Sequence, residues 1–434
     1  MTDKKTTLRK EINTWQLWAL AVGMVISGEY FGWNYGWQSS GTVGFLCATL
    51  IVTVFYITFI FSYTELAVAM PDAGGVFTFA YKAFGKIGAL LAGYAVLVDF
   101  LLAPPVIAFA LGSYAHFLHP SIPEIPTAIA MYVVFIAVNL LGIKEGARFS
   151  LIITVLSVGE LILYLLLITP HFEMQHFLAH NPKNIGFAAV FSGIPYAIWF
   201  YIAIEGVAML AEEVKNPQKT IPKAYFLAII TLVILVFGIM VLSGGVGDWR
   251  KLQAINDLMP QTLTMALGEQ NGWSKLFASL GLFGLIASFH GNTIACSRQI
   301  FAMAREGFLP RILSKVNIRF QTPHWALLAV GLVGLTALFS GKTEQLIVLS
   351  ALGALVMYAV SLAALFVLRA KQPDRKLPFK TPFYPFLPLL SLLLCLVCLG
   401  AVMYYNPELT LIFLAIMVVF VGIGWFYKGR LKDL

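Results

Sequence analysis

The chain has 434 residues, of which 59% are hydrophobic and only 12% are charged. Soluble domains carry about a quarter of charged residues, so this composition excludes an ordinary soluble protein and indicates that lipid is the solvent. A mean hydropathy of +0.83 also excludes disorder and nucleic-acid binding. The formal charge of +8 is therefore examined for the side of the membrane on which the Lys and Arg residues lie.

Twelve membrane spans are predicted, because a span needs about 20 mostly apolar residues. A basic N-terminal segment, 1–14, precedes an apolar stretch that is too long for a signal peptide and has no cleavage site, so that stretch is predicted to be the first span. A short tail, 428–434, follows the last one. The predicted spans are 15–40, 42–69, 87–117, 126–142, 148–169, 187–210, 223–246, 274–297, 324–340, 345–369, 386–405 and 408–427.

The distribution of basic residues predicts the orientation. With twelve spans, 24 of the 29 Lys and Arg lie on the side of the two termini, Lys144, Arg319, Arg375 and Lys376 among them. The other side carries Lys183, Arg250, Lys251, Lys275 and Lys342. By the positive-inside rule we expect a multi-pass protein of the cell (inner) membrane with segment 1–14 and tail 428–434 in the cytoplasm.

Two spans contain residues that weaken a continuous helix. Span 1 carries Ser27-Gly28-Glu29 among several glycines, and span 6 carries Gly193-Ile194-Pro195 and then Ala203-Ile204-Glu205-Gly206. Breaks five spans apart favour an inverted-repeat transporter, with 15–169 as the first repeat, 187–369 as the second and 386–427 as two trailing helices. The alternative is that these glycines only allow close helix packing.

Motifs in the loops add a resemblance to a known family. They are Tyr63-Thr64-Glu65-Leu66, Pro71-Asp72-Ala73-Gly74-Gly75 and Ala83-Phe84-Gly85; Ala211-Glu212-Glu213-Val214-Lys215-Asn216-Pro217 and Ile221-Pro222-Lys223-Ala224; and Ser297-Arg298 with Ala302-Met303-Ala304-Arg305-Glu306-Gly307. In these motifs the chain resembles the amino acid/polyamine/organocation superfamily of secondary transporters. The resemblance implies an all-α membrane protein with a LeuT-like five-plus-five inverted-repeat core, alternating access, and a small amine-bearing substrate between spans 1, 3, 6, 8 and 10.

The first break departs from the amino-acid-transporting members. Those relatives have a Gly-Ser-Gly type of break whose free N–H groups receive the substrate carboxylate. In this chain the corresponding residues, 27–36, have the sequence SGEYFGWNYG. That stretch is similar to the ethanolamine permease branch. A helix N-terminus favours an anion, so the Glu29 carboxylate is predicted to fill the anion position and to exclude amino acids. Ser27 and Gly28 are predicted substrate-binding residues beside it. The alternative places Glu29 in the solvated outer vestibule.

Four further acidic residues lie at predicted membrane depth, where an unpaired charge costs at least about 2.5 to 3.5 kcal/mol. Glu205 is a candidate for an ammonium contact or a gating hydrogen bond, with a structural role at the helix break as the alternative, and Glu65 is assigned to a cytoplasmic gate. Asp99 in span 3 and Glu160 in span 5 are candidates for substrate charge pairing or proton coupling. Pro104 and Pro105 are expected to disturb span 3.

Aromatic residues cluster around both breaks and attract ammonium groups through their ring faces. Trp199, Tyr201 and Ala203 are predicted substrate-binding residues. Trp33 and Trp37 are equally consistent with an interfacial belt. His290 in span 8 is a weaker substrate-binding candidate, because a packed and hydrogen-bonded role is the commoner one.

We therefore expect a secondary transporter of a small protonated amine, ethanolamine first, with an amino acid permease or exchanger as the alternative. The coupling ion stays open among a proton, sodium and exchange. Enzyme motifs such as HExxH and GxSxG are absent from the sequence, as are the charged rings of a channel, so we expect no catalytic residue. All four cysteines lie in apolar runs, and we expect neither a metal nor a cofactor.

Overall fold

The computed structural model describes residues 10–141, 146–183, 185–269, 271–317, 320, 322–339, 342–374 and 377–430. Residues 1–9 of the predicted N-terminal segment and 431–434 of the predicted tail lie outside them. So do eight of the basic residues used to predict the orientation: Lys4, Lys5, Arg9 and Lys432 in those two segments, and Lys144, Arg319, Arg375 and Lys376 elsewhere.

The described chain is helical. Its α-helices are α1 (Thr14–Val25), α2 (Ser27–Tyr30), α3 (Gly36–Ala69), α4 (Val76–Leu118), α5 (Glu124–Leu140), α6 (Gly146–Ile168), α7 (Met174–Leu178), α8 (Phe187–Phe191), α9 (Ile194–Trp199), α10 (Pro217–Gly244), α11 (Leu258–Leu267), α12 (Gly272–Arg305), α13 (His324–Leu338), α14 (Thr343–Lys371), α15 (Phe386–Tyr405) and α16 (Pro407–Arg430). Short 3₁₀ helices occupy Trp33–Tyr35, Thr169–His171, Ile204–Glu213, Trp249–Lys251 and Arg311–Ser314.

Nine helical segments of the described chain are long and apolar enough to cross a membrane. The shorter apolar helices α1, α5 and α13 occupy the positions of predicted spans 1, 4 and 9. The all-α, multi-pass class predicted from the sequence is therefore confirmed. Twelve crossings, the inverted repeat and the segment boundaries stay predictions.

Two glycines interrupt the helical backbone inside α3 and α4, which are otherwise continuous helices. Gly41 has a φ of 64° and marks the turn between predicted spans 1 and 2, inside α3. Gly85 has a φ of 69° inside α4, just before the predicted start of span 3. A positive φ is readily adopted only by glycine, so both turns are encoded by the residue type.

The disturbance expected at Pro104 and Pro105 is wrong. Both prolines lie inside α4, and Gly85 is the position in that helix where the backbone leaves helical geometry. Membrane helices tolerate proline where neighbouring helices support the freed backbone. α14 packs closely on α4 nine residues before Pro104, where a Cβ on Gly353 would come within 2.7 Å of the Ala95 carbonyl oxygen.

The outer surface of the helices is apolar, as lipid contact requires. Large hydrophobic side chains on α6, α15 and α16 are exposed, for example Leu156, Leu166, Leu393, Leu411 and Val418. The short helices α2 and α9, by contrast, are buried throughout. The polar groups of interest are therefore enclosed by helices rather than facing lipid.

Candidate functional site

The first predicted span is interrupted where the sequence indicated. α1 ends at Val25, α2 is a single turn, and Phe31 is fully extended with φ −166° and ψ 176°. Gly32 follows with a φ of 92°, after which Trp33 begins the next helical turn. A positive φ at Gly32 explains why glycine stands at this point of the break.

The sixth predicted span is interrupted as well. α8 ends at Phe191, and α9 begins at Ile194 with Pro195 in its first turn, where a missing N–H does no harm. Ala203 then adopts a left-handed conformation with a φ of 76°, and a 3₁₀ helix begins at Ile204. The Ala203-Ile204-Glu205-Gly206 motif thus coincides with a change of helix type.

The two interruptions contact each other. Trp199 Nε1 donates a hydrogen bond of 3.1 Å to the carbonyl oxygen of Phe31. The backbone of Gly28 lies against the Trp199 carbonyl so closely that a Cβ at position 28 would collide with it. The structure therefore brings predicted substrate residues of the first and sixth spans together, and it shows why position 28 has no side chain.

Glu29 lies within the first break and is fully buried. Neither of its carboxylate oxygens has a hydrogen-bond partner among the described residues. The N–H of Gly32 donates instead to Asn34 Oδ1 at 2.9 Å. Glu29 is thus enclosed rather than solvated in this structure, and an amide oxygen, not its carboxylate, takes the Gly32 N–H. Its role in reading the substrate stays a prediction.

A second carboxylate cluster joins the sixth segment to α4 and α14. Tyr358 OH donates to Glu205 Oε2 at 2.7 Å, and Ser350 Oγ donates to Asp99 Oδ1 at 2.6 Å. The Asp99 and Glu205 carboxyl groups also lie within interaction range of each other. Within the described residues neither forms an ion pair with Lys or Arg, and one oxygen of each group, Asp99 Oδ2 and Glu205 Oε1, has no hydrogen-bond partner.

Tyr201 connects this cluster to the first break. Its hydroxyl lies 2.7 Å from Thr53 Oγ1, and its ring centroid is 5.0 Å from that of Tyr56. Tyr56 OH is 3.2 Å from Tyr358 OH, which bonds to Glu205. Tyr201 is also close enough to Glu29 for an electrostatic interaction. Tyr201 is therefore a buried aromatic residue between Glu29 at the first break and the Asp99–Glu205 pair.

Glu160 lies beside the first break, whereas no contact joins the His290 side chain to it in the described part of the chain. Tyr30 OH donates to Glu160 Oε2 at 2.8 Å, which ties α6 to α2. His290 on α12 is buried, and its Nε2 has no hydrogen-bond partner in the described part of the chain. The hydrogen-bonded packing role that the sequence favoured for His290 is thus not visible at this nitrogen.

Glu65 lies apart from the other candidates, at the end of α3. Its carboxylate accepts from Arg369 Nε at 2.7 Å and from Nη2 at 2.6 Å, and also from the backbone N–H of Thr381 at 2.6 Å. The Arg369 guanidinium in turn lies 3.9 Å from the ring centroid of Tyr384. Glu65 is therefore paired and connects α3, α14 and the segment before α15.

The loop motifs meet at this same end of the molecule, which we name the ion-paired end. Arg298 bonds to Glu213 Oε1 at 2.9 Å, and Arg305 pairs with Glu212 at 3.3 Å and with Asp72 at 3.6 Å. Each acid comes from one motif and each arginine from another. The ion-paired end comprises Glu65, Asp72, Glu212, Glu213, Arg298, Arg305 and Arg369.

Several polar residues around the breaks were missed at the sequence level. Ser288 and Asn292 on α12 both bond to the Met24 carbonyl, at 2.6 and 2.8 Å. Their spacing of four residues puts them on one helix face, which is the signal that could have found them. Ser350 and Tyr358 on α14 carried no comparable signal, because single hydroxyl residues are common in membrane helices.

The sequence is similar to those of known permeases and transporters. A family model described as "Amino acid permease" matches residues 12–426. The branched-chain amino acid permease BcaP of Bacillus subtilis (strain 168) is 26% identical, over 88% of this chain and 85% of that protein. The methylthioribose transporter of the same organism is 24% identical, over 88% and 86%. The human cystine/glutamate transporter is 27% identical, over 88% and 78%.

Proposed function

Because the chain belongs to the amino acid permease family, within the amino acid/polyamine/organocation superfamily of transporters, we propose that it is a secondary transporter that imports a small protonated amine by alternating access. Ethanolamine is the substrate proposed first. The family and the relatives reported above are transporters rather than enzymes. The protein is accordingly a multi-pass membrane protein, and its placement in the inner membrane with cytoplasmic termini is part of the proposal.

One observation carries the choice of a cationic substrate. Glu29, Asp99, Glu160 and Glu205 are buried, and in the described part of the chain none of them pairs with Lys or Arg. A buried carboxylate that stays ionised needs a positive partner, because desolvation of a lone charge costs several kcal/mol. A protonated amine supplies such a partner in a site that the protein itself leaves without one.

The position of Glu29 favours a substrate amine that carries no carboxylate group. The substrate would reach the point where α2, Gly32 and Trp199 meet, and Glu29 is buried at that point. A second carboxylate brought there by an amino acid would face an enclosed negative charge. An amino alcohol avoids this repulsion and still offers an ammonium to Glu29 and to the ring face of Trp199.

The Asp99–Glu205 pair supports coupling to a proton. Two adjacent carboxyl groups in a buried site share a proton, since both cannot be ionised at such close range without a cation. Arrival of a proton or of an ammonium changes the charge of the pair, and Tyr358 passes that change to α14. In this proposal the pair, with Glu160 beside Tyr30, links substrate binding to the motion of helices around the breaks.

An amino acid permease or exchanger is the second candidate, favoured by the names of the similar proteins. Two of the three relatives are named for amino acid substrates, and the third is named for methylthioribose. Proteins similar to this chain are therefore named for different substrates. Competition between substrates decides between the two candidates.

Uptake into proteoliposomes tests the proposal. We expect labelled ethanolamine to accumulate under an imposed proton gradient, and unlabelled ethanolamine to compete for that uptake while serine and alanine do not. Liposomes without protein and a sodium gradient of the same size are the controls. Uptake of labelled alanine that ethanolamine does not inhibit would contradict the proposal and favour the amino acid permease.

A further inference from the structure

The hydroxyl of Ser27 lies at the first break, and its partners fix the direction of its hydrogen bond. Ser27 Oγ is 2.7 Å from Ser288 Oγ on α12. Ser288 Oγ is 2.6 Å from the carbonyl oxygen of Met24. A carbonyl oxygen only accepts, so Ser288 uses its single hydroxyl hydrogen on Met24. The hydrogen between the two serines therefore comes from Ser27.

Asn292, one turn after Ser288, completes this arrangement. Its Nδ2 donates to the carbonyl oxygens of Met24 at 2.8 Å and of Ser288 at 2.9 Å, so the amide must present its NH₂ group to them. Nδ2 also lies 3.3 Å from Ser288 Oγ. The Ser288 hydroxyl thus donates once and accepts from Ser27 and, more weakly, from Asn292. No bonding capacity remains on Ser288 that would let Ser27 reverse its direction.

The need for these donors comes from the break itself. Carbonyl groups in the last turn of a helix have no partner within the helix, and Met24 is the residue before the last in α1. In a membrane protein such a carbonyl must find a partner in neighbouring helices. Ser288 and Asn292 are buried and provide two. The interruption of the first span and the direction of the Ser27 hydroxyl are therefore set by the same pair of side chains.

We propose that Ser288 and Asn292 are positioning residues that make the Ser27 oxygen an acceptor, and only an acceptor, toward the substrate. The inference rests on the proposed function, since it concerns the same site. An N–H or O–H of the substrate can donate to the free lone pairs of Ser27. A carboxylate oxygen, which only accepts, receives nothing from it. Glu29 thus reads the charge of the substrate, and Ser27 reads its hydrogen-bond donors.

A series of amines separates these two properties. Ethanolamine, its N-methyl and N,N-dimethyl derivatives and choline keep one positive charge and lose N–H donors one at a time. Tracer binding to purified full-length protein should weaken along the series in the wild type. A hydrogen bond to a charged group accounts for about a tenfold change in affinity. In Ser27→Ala the preference for ethanolamine over choline should fall by about that factor.

Ser288→Ala tests the positioning role. The variant frees the Ser27 hydrogen, so the affinity ratio of ethanolamine to serine should move about tenfold toward serine. Ser288→Thr retains the hydroxyl and should keep the wild-type ratio. Ser297→Ala is the matched control, because buried Ser297 on the same helix donates only to the Ile294 carbonyl of its own turn, at 2.7 Å. Its ratio should not change.

The outcomes separate this inference from the proposed function. An unchanged preference for ethanolamine over choline in Ser27→Ala, or an unchanged ethanolamine-to-serine ratio in a monodisperse Ser288→Ala, overturns the inference. Failure of ethanolamine to bind the wild type, with binding of alanine, overturns the proposed substrate only. Alanine and N-methylalanine then replace the series, and Ser27→Ala must still lower the preference for the ligand with more N–H groups.

Discussion

The carboxylates of the ion-paired end and those around the two breaks differ in their partners. At the ion-paired end, Glu65, Glu212 and Glu213 each face an arginine within 3.3 Å. Around the breaks, Glu205 and Glu160 accept from tyrosine hydroxyls, and Glu29 has no hydrogen-bond partner in the described chain. The same residue type is paired with arginine in one region and has no Lys or Arg partner among the described residues in the other.

The difference separates two tasks of a transporter. Ion pairs join α3, α12, α14 and the 3₁₀ helix Ile204–Glu213 at one end of the bundle. On the proposed function, the carboxylates at the breaks instead make the segments around them depend on what binds there. A charge that is already paired cannot select a substrate, and a charge that selects a substrate cannot be fully paired. A substitution at the ion-paired end should therefore lower stability, and a substitution at the breaks should lower substrate affinity.

The largest effect is expected for Glu65→Gln at the ion-paired end. The substitution removes the charge that Arg369 and the Thr381 N–H face in a buried position, so the free energy of unfolding should fall by about 3 kcal/mol. Chemical unfolding in detergent measures it. Substrate affinity per folded molecule should stay as in the wild type. A loss of affinity with unchanged stability would mean that the two regions do not have separate tasks.

The next effect concerns the aromatic residues between the breaks. Trp199→Leu and Tyr201→Leu keep bulk and remove the electron-rich ring, so amine affinity should fall about thirtyfold for a desolvated cation–π contact of about 2 kcal/mol. Trp15→Leu is the control, since Trp15 is exposed at the start of α1. Tracer binding measures all three. If both inner variants bind like Trp15→Leu, the two aromatic residues are structural.

A smaller effect is expected from the coupling of Asp99 and Glu205. If the two groups share a proton, Asp99→Asn and Glu205→Gln each remove the same shared-proton site. The double variant should then be no worse than the worse single variant, with an interaction energy of about 1 kcal/mol. Proton-driven uptake of the two single variants and the double variant gives this energy. Strictly additive losses would mean that the carboxyl groups act independently.

The smallest effect concerns an exposed ion pair away from both regions. Hydrogen bonds from Arg250 lower the pKa of Asp248 from 3.8 to about 2. A depressed pKa adds stability above pH 3.8, and that contribution is lost as the pH falls toward 2. Because the pair is solvent-exposed, Asp248→Asn should cost less than about 1 kcal/mol at neutral pH. Unfolding at pH 5 and pH 2 checks it, and a cost as large as that of Glu65→Gln would contradict the comparison.

The sequence predicted the parts of this structure that single residue types encode. Long apolar runs predicted the helices, and glycines with a positive φ stand at the turns Gly41 and Gly85 and at the break Gly32. Pro104 and Pro105 were misjudged because support from neighbouring helices is a property of packing, not of local sequence. The match of residues 12–426 to one family model agrees with the loop motifs, which meet in space at the ion-paired end.

The partners of the candidate residues could not be read from the sequence. The bond from Tyr358 to Glu205 joins residues 153 positions apart, and that from Ser350 to Asp99 joins residues 251 positions apart. Nothing in a local pattern fixes such pairs. Charge, by contrast, was informative at once, because a carboxylate in an apolar run is costly and therefore marks a site. The sequence thus indicated which acids to consider, and the fold determined which partner, if any, each of them has among the described residues.

The affinity ratio of ethanolamine to serine in Glu29→Gln tests the central claim most directly. The variant keeps the shape of the side chain and removes the buried negative charge. If Glu29 reads the substrate, ethanolamine affinity falls, serine affinity stays or rises, and the ratio drops by at least about tenfold. Tracer binding to purified wild type and variant, with Trp15→Leu as the control, gives this ratio free of uptake kinetics. A ratio that does not change in Glu29→Gln would contradict the account, because the buried carboxylate would then play no part in choosing the substrate.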